Sequence, residues 1–180
     1  MDYERLSRTV AHALRHEPWL YELEVDEEGW APLDHLLEAL RRDRRAWSDL
    51  EVADLEEMIR RSEKRRYEIR DGRIRALYGH SLPERLEKEP AEPPASLFHG
   101  TDPAALSAIR GQGLRPMGRQ HVHLSVDRAT AEEVGRRKVR EPAILHVDAG
   151  SAHADGVVFY AGNEKVWLSD RVPPRYLTRS

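Results

Sequence analysis

A proline-rich segment divides this chain of 180 residues into two parts. Residues 82–96 read LPERLEKEPAEPPAS and hold four prolines without any apolar periodicity. Proline fixes the backbone φ angle and removes an amide donor, so this stretch favours an extended, semi-rigid connector. We therefore predict a linker over 82–96 between two domains, 1–81 and 97–180, each large enough to bury a core.

The composition excludes several classes of protein. The chain contains no cysteine, which rules out disulfides, thiol catalysis and cysteine zinc sites and fits a reducing compartment. No apolar run approaches the roughly 20 residues that cross a bilayer, and the first residues lack a signal-peptide pattern. We expect a soluble cytoplasmic monomer that does not associate with membranes.

Basic side chains concentrate in one short stretch. Residues 60–75 hold eight basic and three acidic residues, although the net charge of the chain is −3. Most basic residues of the chain are arginines, whose planar fork of donors suits phosphate. The stretch is either a solvated basic surface or a contact with nucleic acid.

The part before the linker predicts three helices followed by a hairpin. Apolar residues at helical spacing mark one helix that ends before Pro18 and a second that begins near Pro32. The sequence SDLE at 48–51 has the form of a capping box and predicts the start of the third helix. Asp71 and Gly72 separate two alternating runs, which predicts a two-residue hairpin turn. This order of elements resembles a winged helix. A protein that binds duplex DNA is the alternative, although the predicted second and third helices are acidic.

The part after the linker alternates between strands and helices, which predicts a strand-rich α+β domain. Asp102 and Pro103 have the form of a helix start. The predicted strands are SLFHGT (96–101), HVHLS (121–125), AILHVDA (143–149), GVVFY (156–160) and KVWLS (165–169), with a helix over 127–137 and a turn at AGNE (161–164).

Candidate functional residues lie in both parts. Arg15 and His16 close the first predicted helix, where helix capping is the simpler explanation, and Arg66 enters the basic hairpin. His99, Gly100 and Thr101 end a strand; the glycine would let a ligand approach the backbone, and the next helix start would offer amides to an anion. Alternation would place Arg119, His121, His123 and Ser125 on one face of a strand, where they suit a phosphorylated ligand better than zinc.

Taken in order, these pieces resemble the RNA 2′-phosphotransferases, the NAD-dependent enzymes that remove the splice-junction 2′-phosphate of tRNA. The matching segments are LSR (6–8), LRH (14–16), DEEGWAPLDHLL (26–37), KRRYEI (64–69), IRALYGHS (74–81), LFHGT (97–101), RQHVHLS (119–125), DGVVFY (155–160) and NEKVWLSDRVP (163–173). Three positions depart from the usual pattern: Arg8 replaces a common lysine, Tyr67 a phenylalanine and Tyr78 a glutamine.

The resemblance implies a winged-helix RNA lobe joined to an ADP-ribosyltransferase-like NAD lobe. Family members transfer the phosphate to NAD, which is consumed, and require no metal. A phosphate oxygen first displaces nicotinamide, giving ADP-ribosylated 2′-phospho-RNA. The neighbouring ribose hydroxyl then attacks the phosphorus, releasing 2′-OH RNA and ADP-ribose 1″,2″-cyclic phosphate. The expected substrate is a tRNA-like RNA that bears a 2′-phosphate.

The resemblance also assigns site residues. The family's catalytic arginines and histidine fall on Arg15, His16, Arg66 and Arg119, and the NAD-binding positions fall on His99, Gly100, Thr101, His123, Ser125 and Val166. Guanidinium groups can hold a phosphate dianion, and His16 can donate a proton near neutral pH. Two alternatives remain: an ADP-ribosyltransferase that caps nucleic-acid phosphate ends, and a winged-helix nucleic-acid-binding protein without activity.

Overall fold

The computed structural model describes residues 1–77 and 90–180, which combine helices and antiparallel sheets in an α+β fold. The chain separates into two compact units, Met1–Pro83 and Glu84–Ser180. The predicted features at 78–81 and at 82–89 lie outside the described residues.

The first unit contains three α-helices. Helix α1 spans Tyr3–Ala11 and continues into a π-helical turn, His12–His16, and a 3-10 turn, Pro18–Tyr21. Helix α2 spans Leu33–Asp43, and α3 spans Val52–Arg61 after a 3-10 turn at Arg45–Trp47. Each α-helix buries one apolar stripe, for example Leu36, Leu37 and Leu40 of α2, so the helices enclose a common core.

The predicted start of the third helix is wrong by three residues. The N-cap of α3 is Glu51, whose side chain and that of Asp54 form the reciprocal capping box. Ser48 instead follows the 3-10 turn that ends at Trp47. Trp47 is buried, and the sequence SDLE alone does not indicate that the residue before it packs into the core.

A three-stranded sheet completes the first unit. Strands β1 (Ala31–Pro32), β2 (Tyr67–Arg70) and β3 (Arg73–Ala76) lie in the order β1-β3-β2, all antiparallel. Asp71 and Gly72 have φ angles of +51° and +70°, the left-handed conformation that a tight hairpin turn requires, so the predicted hairpin is confirmed. Tyr67, Ile74 and Ala76 are buried on the inner face of the sheet.

The second unit is built on a six-stranded antiparallel sheet in the order β7-β8-β5-β4-β6-β9. Its strands are β4 (Ser96–Thr101), β5 (Val122–Ser125), β6 (Ala143–Asp148), β7 (Phe159–Ala161), β8 (Val166–Ser169) and β9 (Leu177–Arg179). The helices are α4 (Leu106–Gln112), α5 (Arg128–Arg136) and α6 (Ala149–Ala154), with 3-10 turns at Pro103–Ala105 and Pro174–Tyr176. The sequence predicted neither α6 nor β9.

The helices of the second unit cover both faces of the sheet. On one face, Leu97 of β4, Leu124 of β5 and Val147 of β6 form a buried cluster with Leu106 and Ile109 of α4. On the other face, α5 packs against β4, β6 and β5. This arrangement fixes β4 and β5, which carry most of the predicted NAD-binding residues, at the centre of the sheet.

The predicted linker does not extend to residue 96. Pro90 forms a bridge with Tyr160, the amide of Ala91 donates to the carbonyl of Phe159 at 2.9 Å, and the carbonyl of Ala95 accepts from Gly150 at 3.0 Å. Residues 90–95 are therefore part of the second unit. Even a proline-rich stretch keeps its carbonyl acceptors and its non-proline amides, which can pair with a neighbouring strand.

Candidate functional site

Arg15 and His16 lie on a π-helical turn. The amide of Glu17 donates to the carbonyl of His12 at 3.0 Å, five residues back. The predicted end of the helix before Pro18 is confirmed, since the C-cap is Glu17. The last turn is π-helical, however, so the 100° spacing of an α-helix does not apply to Arg15 and His16. Single π-helical turns are rare and occur frequently at functional sites. Here the turn leaves Arg15 half-buried and His16 exposed.

Side chains on both sides of the π-helical turn hold it together. The Nε2 atom of His12 lies 2.6 Å from a carboxylate oxygen of Glu17, and its Nδ1 atom lies 3.0 Å from the hydroxyl of Tyr21. Because a carboxylate only accepts hydrogen bonds, Nε2 of His12 is the donor to Glu17. The ring of His16 lies 6.4 Å from that of His12. No sequence pattern indicated His12, Glu17 or Tyr21.

Arg15 contacts the strand that follows Arg66. Its guanidinium carbon lies 5.3 Å from the centroid of the Tyr67 ring, and the Tyr67 hydroxyl donates to the carbonyl of Ser7 at 2.9 Å. Tyr67 is buried whereas Arg66 is exposed, as expected of neighbouring residues in an extended segment. Three of the four predicted catalytic residues therefore belong to one unit, with Arg15 packed against the direct neighbour of Arg66.

Trp30 lies on the outer face of the hairpin beneath three arginines. The guanidinium carbons of Arg70, Arg73 and Arg75 lie 5.0, 5.3 and 4.5 Å from the centroids of the Trp30 rings. Trp30 is only 1% exposed as a result. Arg75 also donates from Nε and Nη2 to Glu68 at 3.0 and 2.8 Å, and these bonds lower the pKa of the Glu68 carboxyl. No sequence pattern indicated this cluster, because Trp30 is far from the arginines along the chain.

In the second unit, the strands β4 and β5 separate beside His99. Phe98 pairs with Ser125, and beyond this pair the two strands have no further register partners. The Nδ1–H group of His99 donates to the carbonyl of His123 at 2.9 Å across the opening. The imidazole thus replaces a backbone partner and holds the two strands apart at a defined distance.

Gly100 is required by helix packing. A Cβ atom built on Gly100 would overlap the carbonyl oxygen of Ala131 in α5 and lie 3.1 Å from the Cα atom of Gly135. The absence of a side chain therefore lets α5 approach the strand, which differs from the predicted reason, approach of a ligand. Lys138, just after α5, donates from Nζ to the Gly100 carbonyl at 3.2 Å and brings a positive charge to this strand end.

The predicted anion site at the helix start after Thr101 is not supported. The carboxylate of Asp102 accepts from the amide of Ala104 at 2.9 Å. An acidic side chain thus occupies the place that an anion would take, as expected for a residue type that caps helices. Thr101 itself is buried and pairs with Ala143 of β6.

Strand alternation sorts the remaining predicted residues onto two faces of the sheet. His99 and Thr101 share the face of the buried cluster, whereas Gly100 lies on the face of α5. His123 and Ser125 also lie on the α5 face, with Val166 directly opposite Ser125. His123, Ser125 and Val166 are all buried, at 8%, 5% and 4% exposure, so their exposed ligand-binding area is small.

Arg119 does not share the strand face that was predicted for it. Strand β5 begins at Val122, and Arg119 lies in a turn in which its amide donates to the carbonyl of Pro116 at 3.3 Å. Met117 and Gly118, directly before it, have φ angles of +54° and +92°. Residues in the left-handed conformation cannot continue an extended strand. The alternation of polar residues from 119 to 125 therefore predicted a longer strand than β5.

His121 belongs to a small polar cluster at the edge of β5. Its ring lies 5.3 Å from that of Tyr160, and its Nε2 atom lies 3.9 Å from a carboxylate oxygen of Asp170. The Tyr160 hydroxyl donates to Asp170 at 2.9 Å, and this hydrogen bond raises the pKa of the phenol.

Among residues 1–77 and 90–180, no group of three or more histidine, aspartate or glutamate side chains is arranged to hold a metal ion. Within the same ranges, no helix is both long and apolar enough to span a bilayer.

Comparison with known proteins places the chain beside one class of enzyme. A family model described as "RNA 2′-phosphotransferase, Tpt1 / KptA family" matches residues 2–171. A protein of Bacillus thuringiensis subsp. konkukian named "Probable RNA 2′-phosphotransferase" is 51% identical over 175 residues, covering 97% of this chain and 94% of that protein. Proteins with the same name from Acetivibrio thermocellus and Streptomyces griseus are 49% and 44% identical, covering 98% and 96% of this chain and 97% and 94% of their own lengths.

Proposed function

The chain belongs to the RNA 2′-phosphotransferase (Tpt1/KptA) family, and from this premise we propose that it removes an internal 2′-phosphate from RNA by transferring it to NAD. The observation that carries the proposal is the π-helical turn His12–His16, which presents Arg15 and His16 from one segment and packs Arg15 against the neighbour of Arg66. These residue types can bind a phosphate dianion through several charge-assisted hydrogen bonds.

The roles of the first unit follow from the chemistry of its side chains. Arg15 and Arg66 bind the equatorial oxygens of the phosphate, because a guanidinium offers two parallel N–H donors to such a group. The contact with Tyr67 restrains Arg15 and reduces the entropy lost when the phosphate binds. His16 hydrogen-bonds the phosphate and donates a proton to the departing 2′-oxygen of the RNA. Arg119 is proposed as the fourth phosphate-binding residue.

The second unit is proposed as the NAD-binding lobe. When bound, NAD supplies the anomeric carbon that accepts the phosphate oxygen and the adjacent hydroxyl that later attacks phosphorus. The opening between β4 and β5 supports this assignment, because the His99 imidazole beside it can hydrogen-bond a ribose hydroxyl. Ser125, on the opposite face of the sheet, is proposed as a separate contact. The ammonium group of Lys138, 3.2 Å from the Gly100 carbonyl, favours a nearby pyrophosphate. We propose further contacts from Thr101, His123 and Val166.

We also propose that the first unit is a winged-helix RNA lobe and that the second has an ADP-ribosyltransferase-type fold. Three helices followed by a confirmed β-hairpin support the first assignment. A central antiparallel sheet with helices on both faces, and with a separation between two of its strands, supports the second.

The test is a reaction of the purified protein with 2′-phosphorylated RNA, with and without NAD. The proposal expects loss of the 2′-phosphate and release of one nicotinamide per phosphate removed, only when NAD is present. An RNA of the same sequence with a 3′-terminal phosphate is the matched control substrate and should remain intact. Accumulation of ADP-ribosylated RNA as the final product would identify a nucleic-acid-capping enzyme, and RNA binding without any reaction would identify a binding protein.

A further inference from the structure

We propose that the outer face of the first unit's hairpin binds the phosphodiester backbone of the single-stranded RNA that flanks the 2′-phosphate. The face carries Arg66, Glu68, Arg70, Arg73 and Arg75, and we call it the arginine face. The inference rests on the proposed function and extends it, because it assigns a binding surface for RNA outside the reacting group.

Strand register defines the arginine face. Glu68 pairs with Arg75 and Arg70 pairs with Arg73 across β2 and β3, and residues directly opposite each other in an antiparallel pair share a face. Arg66 continues this alternation, since its carbonyl accepts from the amide of Leu77 at 3.0 Å. The residue proposed to hold the 2′-phosphate therefore begins a row of cationic side chains that leads to the hairpin turn.

The acidic groups near the arginine face leave a positive surplus. Glu68 is engaged by Arg75, and Asp26 lies 3.4 Å from Arg73 in a largely exposed pair. Exposed pairs of this kind contribute little and exchange readily with another anion. Within residues 1–77 and 90–180, neither Arg66 nor Arg70 forms an ion pair with an acidic side chain. These two positions are the most available for phosphate.

Trp30 supports three guanidinium groups of the arginine face. Arg70, Arg73 and Arg75 pack over its rings, and cation–π packing uses the flat face of a guanidinium. A guanidinium that stacks on an aromatic ring keeps its N–H donors in its own plane, so it can bind phosphate at the same time. A rigid support also lowers the side-chain entropy lost on binding.

The dimensions and charge of the arginine face fit a single RNA strand. Arg66 and Arg70 are four residues apart on one strand, about 13 Å at the usual rise. This distance corresponds to roughly four nucleotides of a stacked strand. A polyanion with regularly spaced charges matches a row of this kind, whereas duplex DNA would also meet the acidic surfaces of α2 and α3, such as Asp34 and Glu56.

The experiment compares a 2′-phosphorylated dinucleotide with the same dinucleotide embedded in a longer single strand. The value of kcat/KM is measured for both RNAs over a series of NaCl concentrations, with wild-type protein, Arg70→Gln, Arg70→Lys and Arg110→Gln. Arg110 is an exposed arginine of α4, so Arg110→Gln removes the same charge elsewhere. Thermal melting of each variant verifies that it is folded.

The expected result is a wild-type preference for the longer RNA that weakens as salt rises. Arg70→Gln should reduce this preference severalfold and lower the slope of log(kcat/KM) against log[NaCl] by about 0.7, the value for one lost single-strand phosphate contact. Arg70→Lys should lie between wild type and Arg70→Gln, and Arg110→Gln should keep the wild-type preference. A preference and slope in Arg70→Gln equal to those of wild type would overturn the inference.

Binding measurements separate failure of this inference from failure of the proposed function. If the wild-type protein converts neither RNA, the proposed function is wrong, and fluorescence anisotropy of the longer RNA with the same variants still tests the arginine face. A weaker affinity of Arg70→Gln for this RNA would support the inference. A loss of affinity confined to duplex DNA would contradict it, since the surface would then be a DNA site.

Discussion

The guanidinium group of Arg15 packs over the ring of Tyr67, with 5.3 Å between the guanidinium carbon and the ring centroid. Tyr67 in turn bonds the carbonyl of Ser7 in α1. One aromatic side chain thus connects the first helix, the π-helical turn and the hairpin. This connection brings residues that are far apart in sequence into the part of the first unit for which we propose phosphate binding.

Replacing Tyr67 with phenylalanine separates the ring from its hydroxyl. Tyr67→Phe keeps the ring beneath Arg15 but removes the hydrogen bond to Ser7, so the free energy of unfolding should fall by about 1 kcal/mol. The phosphotransferase rate should stay near that of wild type, because Arg15 keeps its support. Urea denaturation and steady-state kinetics measure the two effects. In contrast, Tyr67→Ala should lower the rate; equal rates for Phe and Ala variants would show that the ring does not position Arg15.

Gly100 and Gly111 make a matched pair of glycine variants. Gly100→Ala forces a Cβ atom into the backbone of α5, so it should lower the free energy of unfolding by about 1–3 kcal/mol or more. Gly111 lies in α4 with nothing within 4 Å of a built Cβ, and Gly111→Ala should be neutral or stabilise by about 0.5–1 kcal/mol. Chemical denaturation provides both values. Wild-type stability in Gly100→Ala would disprove the close approach of α5.

Asp127 should make the free energy of unfolding depend on pH in the acid range. It caps α5, and hydrogen bonds from the amide and side chain of Thr130 lower its pKa. Because folding lowers this pKa, the carboxylate stabilises the folded state above about pH 4, the ordinary value for aspartate. That contribution disappears as the pH falls through the lowered pKa of the folded state.

Two variants of Asp127 test this assignment. Asp127→Ala should cost about 1 kcal/mol at neutral pH through loss of the cap, and the deficit should shrink as the pH falls below about 4. Asp127→Asn keeps an acceptor and should retain neutral-pH stability within about 0.5 kcal/mol while flattening the acid dependence. Urea midpoints across the acid range provide the data. A deficit in Asp127→Ala that is the same at every pH would argue against the charge.

Sequence patterns predicted features whose cause is local. The hairpin was predictable because Asp71 and Gly72 tolerate positive φ angles, and the central strands were predictable from short apolar runs. The strand SLFHGT coincides with β4 at both ends. In each case, residues adjacent in sequence determine the structure.

Features that depend on distant residues could not be predicted in this way. The π-helical turn depends on Tyr21 as well as on His12 and Glu17, and no periodicity marks it. Gly100 was recognised as significant, but its reason lies in Ala131 of α5. Arg119 was placed on a strand because polar residues alternate from 119 to 125, and this pattern does not show that the directly preceding Met117 and Gly118 are left-handed.

The proposed arginines should act mainly in the second chemical step. Negative charge builds on the phosphoryl oxygens when the ribose hydroxyl attacks phosphorus, and a lost donor there costs about a hundred- to a thousandfold in rate. Arg66→Ala and Arg119→Ala should therefore release nicotinamide yet accumulate ADP-ribosylated 2′-phospho-RNA. Gel analysis of the RNA together with nicotinamide release follows both steps.

Lysine variants provide the control for charge. Arg66→Lys and Arg119→Lys should recover only part of the second-step rate, because an ammonium cannot replace the two-pronged donor geometry of arginine. Equal losses in both steps for the alanine variants would instead mean that these arginines serve only to bind the substrate.

The most direct measurement follows a radiolabelled 2′-phosphate through a reaction with the wild-type protein and NAD. The proposed reaction predicts that the label leaves the RNA and appears in a cyclic phosphate of ADP-ribose, with an equal amount of nicotinamide and no inorganic phosphate. Label that remains on the RNA, or that appears as inorganic phosphate independently of NAD, would contradict phosphate transfer to NAD.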